Sequence, residues 1–401
     1  MIVEMTEQTS IKRAPTHARD KKAPNFALRS IGLVLLAFLL AILGAGVTLY
    51  IDLQNNIVQH DLKGLLDESK RPEKVTPPDD QDAGTPLNLL LLGSDTREGK
   101  SDVDGSGASG EIDGMRSDTA MLIHIAADRS RVDVVSIPRD TLLDIPSCTL
   151  PNGKSTYPER DAMFNSAFYR GGISGSVAAA AACSVRTVEK LTDIYIDGYI
   201  VINFASFQDV VNTLGGIDMC LTESLKDTKA GLDLPAGCQT LNGKQALALS
   251  RARYQVGDGS DISRIGRQQE LVKKIAEKAL TLNAFSDMNT FYQLLQDVTK
   301  NLETSAGIGN LRWLGGLLYS LRNVESGNIN FITMPFVPEG NRVRPATNAK
   351  QVWRALEYDR PVDSKFLHRP GSNAIIEPGT PEQRAEFRAS VGLSVKLAQV
   401  G

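Results

Sequence analysis

The sequence predicts an α/β layered domain, helices on a sheet, preceded by one transmembrane helix. Three observations lead to that class. An uncharged, mostly apolar run of 21 residues, IGLVLLAFLLAILGAGVTLYI at 31–51, stands near the start of the 401-residue chain. Beyond residue 86, short aliphatic runs are interspersed with segments of helical periodicity, the pattern of helices layered on a sheet. Apolar residues make up 42% and charged residues 23%, which suits a chain that buries a core.

In chain order, residues 1–30 form a basic tail: Lys12, Arg13, Arg19, Lys21, Lys22 and Arg29 stand against Glu4, Glu7 and Asp20. The 21 residues that follow are long enough as a helix to cross the hydrocarbon core, at about 1.5 Å per residue. A positive flank stays in the cytoplasm, so everything after Tyr50 is expected outside. The alternative is a signal peptide cut near Gly44-Ala45-Gly46, but the apolar run and the segment before it are both long for one. Residues 52–69 read as a polar stalk, and 70–86 (KRPEKVTPPDDQDAGTP) as a Pro- and charge-rich linker. The folded domain is therefore expected over 87–360, with a weakly patterned tail at 361–401.

Within that domain, strands are predicted at 87–92, 120–125, 132–137 and 329–335, each aliphatic and bounded by turn or charge clusters. Helices are predicted at 174–191, 203–214 and 348–357. In NFASFQDVVNTL, Phe204, Phe207, Val211 and Leu214 recur at helical spacing before Gly215-Gly216 stops the helix. All four cysteines (Cys148, Cys183, Cys220, Cys238) follow the apolar run, and an even count outside the cytoplasm suggests two disulfides. Four cysteines allow three pairings. Cys148–Cys183 with Cys220–Cys238 is preferred, because the second pair would staple the short loop LTESLKDTKAGLDLPAG.

The informative charges sit at the ends of the first three strands. Asp95 and Arg97 follow the first, Arg116 and Asp118 precede the second, and Arg139 and Asp140 follow the third. If these strands form an antiparallel meander, all six side chains converge on one rim. A second basic group lies far along the chain. Arg251 and Arg253 are two apart and share a side of an extended segment. Arg264 and Gln268 share a face of the helix that follows, for which Ser263 is the expected cap. Several guanidinium groups together call for a multiply charged anion, and Arg grips phosphate bidentately. Carboxylates beside them suggest a divalent cation, since Mg²⁺ takes one or two carboxylates and completes its shell with substrate phosphate. Asp95 and Asp118 suit that role. Structural ion pairs at strand ends are the alternative, and such pairs contribute little. Their repetition at one rim favours a site.

Other chemistries lack their residues. The net charge of −3 offers nucleic acid no general attraction. There is no G-x-S-x-G elbow, His17, His60, His124 and His368 show no ligand spacing, and GKST at 153–156 lacks the glycine of a P-loop. The Gly-rich stretch 98–114 reads equally as a flexible loop and as a cover for the rim.

Seven segments in order then resemble the LytR–CpsA–Psr family of cell-wall glycopolymer transferases. They are LLLGSDTR (90–97), RSDTAMLIHI (116–125), VSIPRDT (135–141), FNSAFYRGG (164–172), TVEKLTDIYIDGYIVINFASFQDVVNTLGGI (187–217), LNGKQALALSRARY (241–254) and SDISRIGRQQ (260–269). The resemblance covers roughly 85–360. It implies a mixed central sheet flanked by helices in an α-β-α arrangement, enclosing an apolar channel for a polyprenyl chain, which 174–191 and 203–214 would line unless they only pack the core. It implies Mg²⁺ (or Mn²⁺) on Asp95 and Asp118, with these and Arg139 as the catalytic group. Arg116, Arg139, Arg251, Arg253, Arg264 and Gln268 become the phosphate-binding set, joined by Arg97 on the rim and Arg267 on the helix. The implied partners are a polyprenyl-pyrophosphate-linked glycan (teichoic acid, capsule or arabinogalactan type), peptidoglycan and the membrane. The implied reaction joins the polymer to the wall by a phosphodiester and releases polyprenyl phosphate. The cysteines resemble the actinobacterial branch, a slight lean towards arabinogalactan or a related wall polysaccharide. Some members carry a further C-terminal domain, for which the residues after about 360 are too few. The alternatives are a pyrophosphatase using the same residues, a carrier-binding protein without turnover, and a membrane-bound transcriptional attenuator. The last is disfavoured because the domain is expected outside.

Overall fold

The computed structural model describes residues 26–74, 84–94, 115–253, 256, 261–280, 288–300, 302–367 and 375–376. They fall into two units, Met1–Ile51 and Asp52–Gly401. The first is the main part of helix α1 (Phe26–Asn56). Its segment Leu33–Asn56 is long and apolar enough to cross a membrane, and the described large apolar side chains from Ile31 to Ile51 are exposed.

The second unit is built on a mixed seven-stranded sheet. Strands β2 (Leu87–Ser94), β3 (Ser117–Ile125) and β4 (Val132–Ser136) form the expected antiparallel meander, with Leu90 opposite Leu122 and Leu122 opposite Val135. Beside β2 runs β7 (Gly198–Asn203) in parallel, and beside β4 runs β13 (Ile329–Thr333), also parallel. Strand β12 (Leu302–Ser305) is antiparallel to β7, and β1 (Val58–His60) closes that edge parallel to β12.

Alternation along the central strands sends two apolar sets to opposite faces. Leu90, Leu92, Leu122, Val135, Tyr199 and Ile332 pack on one face against α2 (Asn165–Gly171), α3 (Val177–Thr192) and α9 (Ala349–Glu357). Each such side chain taken from water contributes about 1.5–3 kcal/mol. Helix α3 starts where the Ser176 side chain accepts from the Ala179 amide, and ends at Asp193, whose φ of 60° is left-handed. Its Ala-rich first turns let α2 approach closely, and a Cβ at Gly171 would collide with the Ala179 carbonyl. So 174–191, a candidate for the channel wall, is core: its small side chains fit it to close contact with the sheet and α2.

Met121, Val134 and Phe331 are buried on the other face, and Val272 of α6 (Asp261–Leu280), Leu91 and Ile123 are half-buried against them. A second cluster joins α6 to α4 (Phe204–Thr213), α5 (Gly243–Arg251) and α7 (Met288–Lys300) through Val211, Leu249, Leu271 and Leu294. The sheet is thus sandwiched α-β-α.

The remaining elements are small. Strands β8 (Ile217–Leu221), β11 (Gly237–Leu241) and β16 (Ile375–Ile376) form one sheet, and β9 (Leu225–Asp227) pairs with β10 (Leu232–Leu234). Two hairpins pair β5 (Leu142–Ile145) with β6 (Glu159–Met163) and β14 (Phe336–Glu339) with β15 (Arg342–Pro345). Helix α8 (Leu311–Ser320) follows β12. Disulfides join Cys148 to Cys183 and Cys220 to Cys238, the latter across facing positions of β8 and β11.

The expected stalk and the start of the expected linker need correction, and residues 75–83 of that linker lie outside the described residues. Leu53, Ile57 and Leu66 are buried, β1 extends the sheet, and Arg71 forms an interior ion pair with Glu189 at 2.7 Å. Sparse leucines and one isoleucine among polar residues suffice to dock 52–74, so the folded unit starts at Asp52 and not at Leu87. At the other end, Ile375 and Ile376 join β8 from within the expected tail.

Candidate active site

The rim lies where β2 ends, β3 begins and β4 ends. Ser94 faces Ser117 across a register shift, which places Asp118 one residue inside the edge of β3. After β4 the chain reverses at Pro138, whose carbonyl accepts from the Thr141 amide at 3.0 Å and the Thr141 hydroxyl at 2.6 Å. The Asn165 amide holds the Arg139 carbonyl at 3.1 Å. The Arg139 backbone is therefore pinned, and its guanidinium crosses to the neighbouring strand end.

There Arg139 Nη1 donates to Asp118 Oδ1 at 2.5 Å, and its Nε stands 3.5 Å from Asp140 Oδ1. Asp140 is only 6% exposed, and Arg253 Nη2 and Arg342 Nη1 approach its other oxygen at 3.8 and 3.9 Å. Arg264 Nη2, from the first turns of α6, donates to the Asp118 carbonyl at 3.3 Å. Burial alone pushes the Asp118 carboxyl up, but Arg139, Arg264 and Arg251 together hold it below the ordinary carboxylate range.

The second basic group is aimed by α5 and α6. Helix α5 starts with a capping box: the Asn242 side chain accepts from the Gln245 amide, and Gln245 returns the contact to the Asn242 amide. It ends at Arg251, whose guanidinium lies 5.1 Å from the Phe204 ring centre. Asp227 then accepts from the Arg253 amide at 2.7 Å. Carbonyls at the end of α5 are taken by α6, Ser250 by Gln268 Nε2 at 3.1 Å and Ala252 by Arg267 Nη2 at 2.5 Å. Arg251 and Arg253 thus project from a backbone tied on both sides. We expect Asn242→Ala to cost about 1 kcal/mol, seen as a modest fall in Tm with turnover retained.

Measured against the sequence expectation, Asp118, Arg139, Arg251, Arg253 and Arg264 come together. Arg116 is exposed at the start of β3, 5.8 Å from the Tyr169 ring centre. Asp95, Arg97 and 98–114 lie outside the described residues. Arg267 is corrected from phosphate ligand to positioning residue, because it is 0% exposed and spends its donors on Ser263 Oγ and Ala252. Gln268 likewise turns to backbone. Ser263 is not the cap, since α6 has begun by Asp261 and Ser263 sits inside it accepting from Arg267. His124 is fully buried away from the rim, between Asn88 Oδ1 at 2.7 Å and Asp359 Oδ1 at 3.1 Å.

Sequence reasoning missed Arg342. It arrives on the β14–β15 hairpin, which docks beside the rim through a bridge between Thr141 and Val343. RVRP carries no local signal of that docking. The central place of Asp140, which organises three arginines, was also missed.

Among the described residues no group of three potential metal-ligating His, Cys, Asp or Glu stands together. Asp118 Oδ1 is taken by Arg139, and Oδ2 accepts no hydrogen bond among the described residues. Ser94, facing Ser117 and 1% exposed, has a hydroxyl with no hydrogen-bond partner among the described residues. One carboxylate and one hydroxyl fit a hard cation that draws its other oxygens from phosphate and water, and they do not fit a closed structural site.

A sequence model described as the LytR_cpsA_psr family matches residues 49–359. The chain is 30% identical over 281 residues to an Enterococcus faecalis protein named polyisoprenyl-teichoic acid–peptidoglycan teichoic acid transferase TagU, covering 70% of this chain and 79% of that one. A Bacillus cereus protein of the same name is 32% identical over 269 residues, 66% of this chain and 75% of its own length. In fold, the chain is similar to protein gbs0355 from Streptococcus agalactiae, with a TM-score of 0.53 at 22% identity, over 70% of this chain and 90% of that one.

Proposed function

The chain belongs to the LytR–CpsA–Psr family, and from that premise we propose that it transfers a polyprenyl-pyrophosphate-linked glycopolymer onto peptidoglycan. The supporting observation is the gathering of Arg139, Arg251, Arg253, Arg264 and Arg342 about Asp118 and Asp140 at one rim. Guanidinium groups converging from several elements suit a multiply charged anion such as a pyrophosphate. Relatives named as teichoic acid transferases supply the substrate class, with capsule and arabinogalactan polymers as further donors of the same chemistry.

In the proposed reaction a peptidoglycan sugar hydroxyl attacks the sugar-side phosphorus. The new P–O bond makes a phosphodiester, the P–O bond to the lipid phosphate breaks, and the hydroxyl proton leaves to solvent. The arginines bind and orient the pyrophosphate and neutralise charge developing on the leaving phosphate. Asp118, with Asp95 as the expected second ligand, would hold a Mg²⁺ ion, which would add to that neutralisation. A carboxylate held below its ordinary range is a poor base, so Asp118 serves charge and position.

Residues 31–51 are read as an uncleaved anchor, with the basic tail inside and the catalytic unit outside. The two disulfides support that side of the membrane. The test uses full-length protein, a short-chain polyprenyl-pyrophosphate glycan and peptidoglycan, with and without Mg²⁺. Release of lipid monophosphate that needs both acceptor and Mg²⁺ is expected. Release without acceptor would favour a pyrophosphatase.

A further inference from the structure

Helix α8, LRWLGGLLYS, is mostly apolar, yet none of its described side chains is buried. Trp313, Leu314 and Leu317 are half-buried, and Tyr319 is 68% exposed. A Cβ added at Gly315 or Gly316 would meet nothing within 4 Å, so that side of the helix is open. Helix α7 adds Tyr292 and Val298, both exposed. A helix this apolar ordinarily buries a face, so its open side suits a partner outside the unit.

The chain's own path says what the partner is. The apolar run ends at Ile51, and the very next residue, Asp52, accepts from Gln296 of α7, at 2.5 Å. Asn56 donates to the same Gln296 side chain at 3.0 Å, and Gln296 in turn reaches the Tyr292 hydroxyl at 2.9 Å. Gln54 donates to the Gly309 carbonyl at 3.1 Å and accepts from the Leu311 amide at 2.9 Å, clamping the start of α8. Both helices are therefore fastened to the residues that leave the bilayer. A protein partner would have to reach this patch beside the leaflet, whereas the leaflet is already there at high effective concentration.

The composition also suits an interface. Trp and Tyr favour the boundary where one end of the ring is wet, and long cations reach back to headgroups. Arg322 lies 3.9 Å from the Tyr319 ring centre, and Arg312 is exposed on α8. We propose that α7 and α8 form an interfacial patch seated in the leaflet next to Asp52, with Trp313 and Tyr319 at the acyl boundary. The contact rests on the anchored reading of residues 31–51 and is independent of the catalytic one.

The chain has two tryptophans, which makes the test direct. Trp353 lies in the α9 core at 4% exposure, so it serves as the internal control. The full chain would be reconstituted in phosphatidylglycerol nanodiscs with or without bromine on the upper acyl chain. In Trp353→Phe, emission from Trp313 is expected to fall roughly twofold with bromine, as for an interfacial ring. In Trp313→Phe, emission should not change. The unsubstituted chain, which needs no core substitution, should lose only the Trp313 share. Unquenched Trp313 in protein that elutes with the discs would overturn the patch. Protein that elutes apart from the discs would overturn the anchor and the patch together.

Discussion

Arg139→Ala is expected to lower transfer by roughly a hundredfold to a thousandfold, the loss typical of removing one preorganised donor to developing charge. The side chain bonds Asp118, stands beside Asp140 and hangs from a backbone pinned by Asn165 and the Pro138 turn. Without it, the positive charge facing the pyrophosphate drops and the Asp118 carboxylate loses its main ion pair. The fold should survive. Asp118 is partly open to water, and Asp140 keeps Arg253 and Arg342. Lipid monophosphate release reads the loss, and an unchanged unfolding midpoint separates it from destabilisation. Arg139→Lys should recover only part, because an ammonium cannot span both carboxylates as a guanidinium does. Near-normal turnover in Arg139→Ala would remove this arginine from the site.

Arg267→Ala should act through stability first, at about 3–5 kcal/mol, the range for breaking a buried charged network. Arg267 is the largest fully buried side chain among the described residues. Its loss leaves a cavity, strips the Ala252 carbonyl and the Ser263 hydroxyl of a donor, and unties α5 from α6. Arg251 and Arg253 flank that carbonyl, so the donor KM should rise even at temperatures where the variant is fully folded. Denaturant unfolding measures the first effect and KM against kcat the second. A variant of unchanged stability would contradict the interior role.

The rim was legible because its charges interrupt apolar runs at fixed places. In LLGSDTR, RSDTAMLIHI and VSIPRDT, aliphatic runs give way to charge at the strand ends, and a shift of those ends would have drawn charged residues into the covered sheet. The disulfide pairing that the short loop favoured corresponds to facing positions of β8 and β11. Arg342 was not legible. Nothing local in RVRP says that its hairpin will dock on Thr141, some 200 residues away in the chain. The docking of 52–74 was hidden for a related reason: three buried apolar residues scattered among polar ones read as solvated until the sheet edge and α3 supply their partners. Composition reports average environment, and single anchors escape it.

The central claim, transfer with the phosphorus kept, is tested most directly by isotope position. A donor labelled only at the sugar-side phosphorus would be incubated with the full-length protein, Mg²⁺ and peptidoglycan. The account predicts label in the wall fraction as a phosphodiester, with unlabelled polyprenyl monophosphate released in step. Label recovered only as soluble glycan phosphate, at the same rate without peptidoglycan, would contradict it.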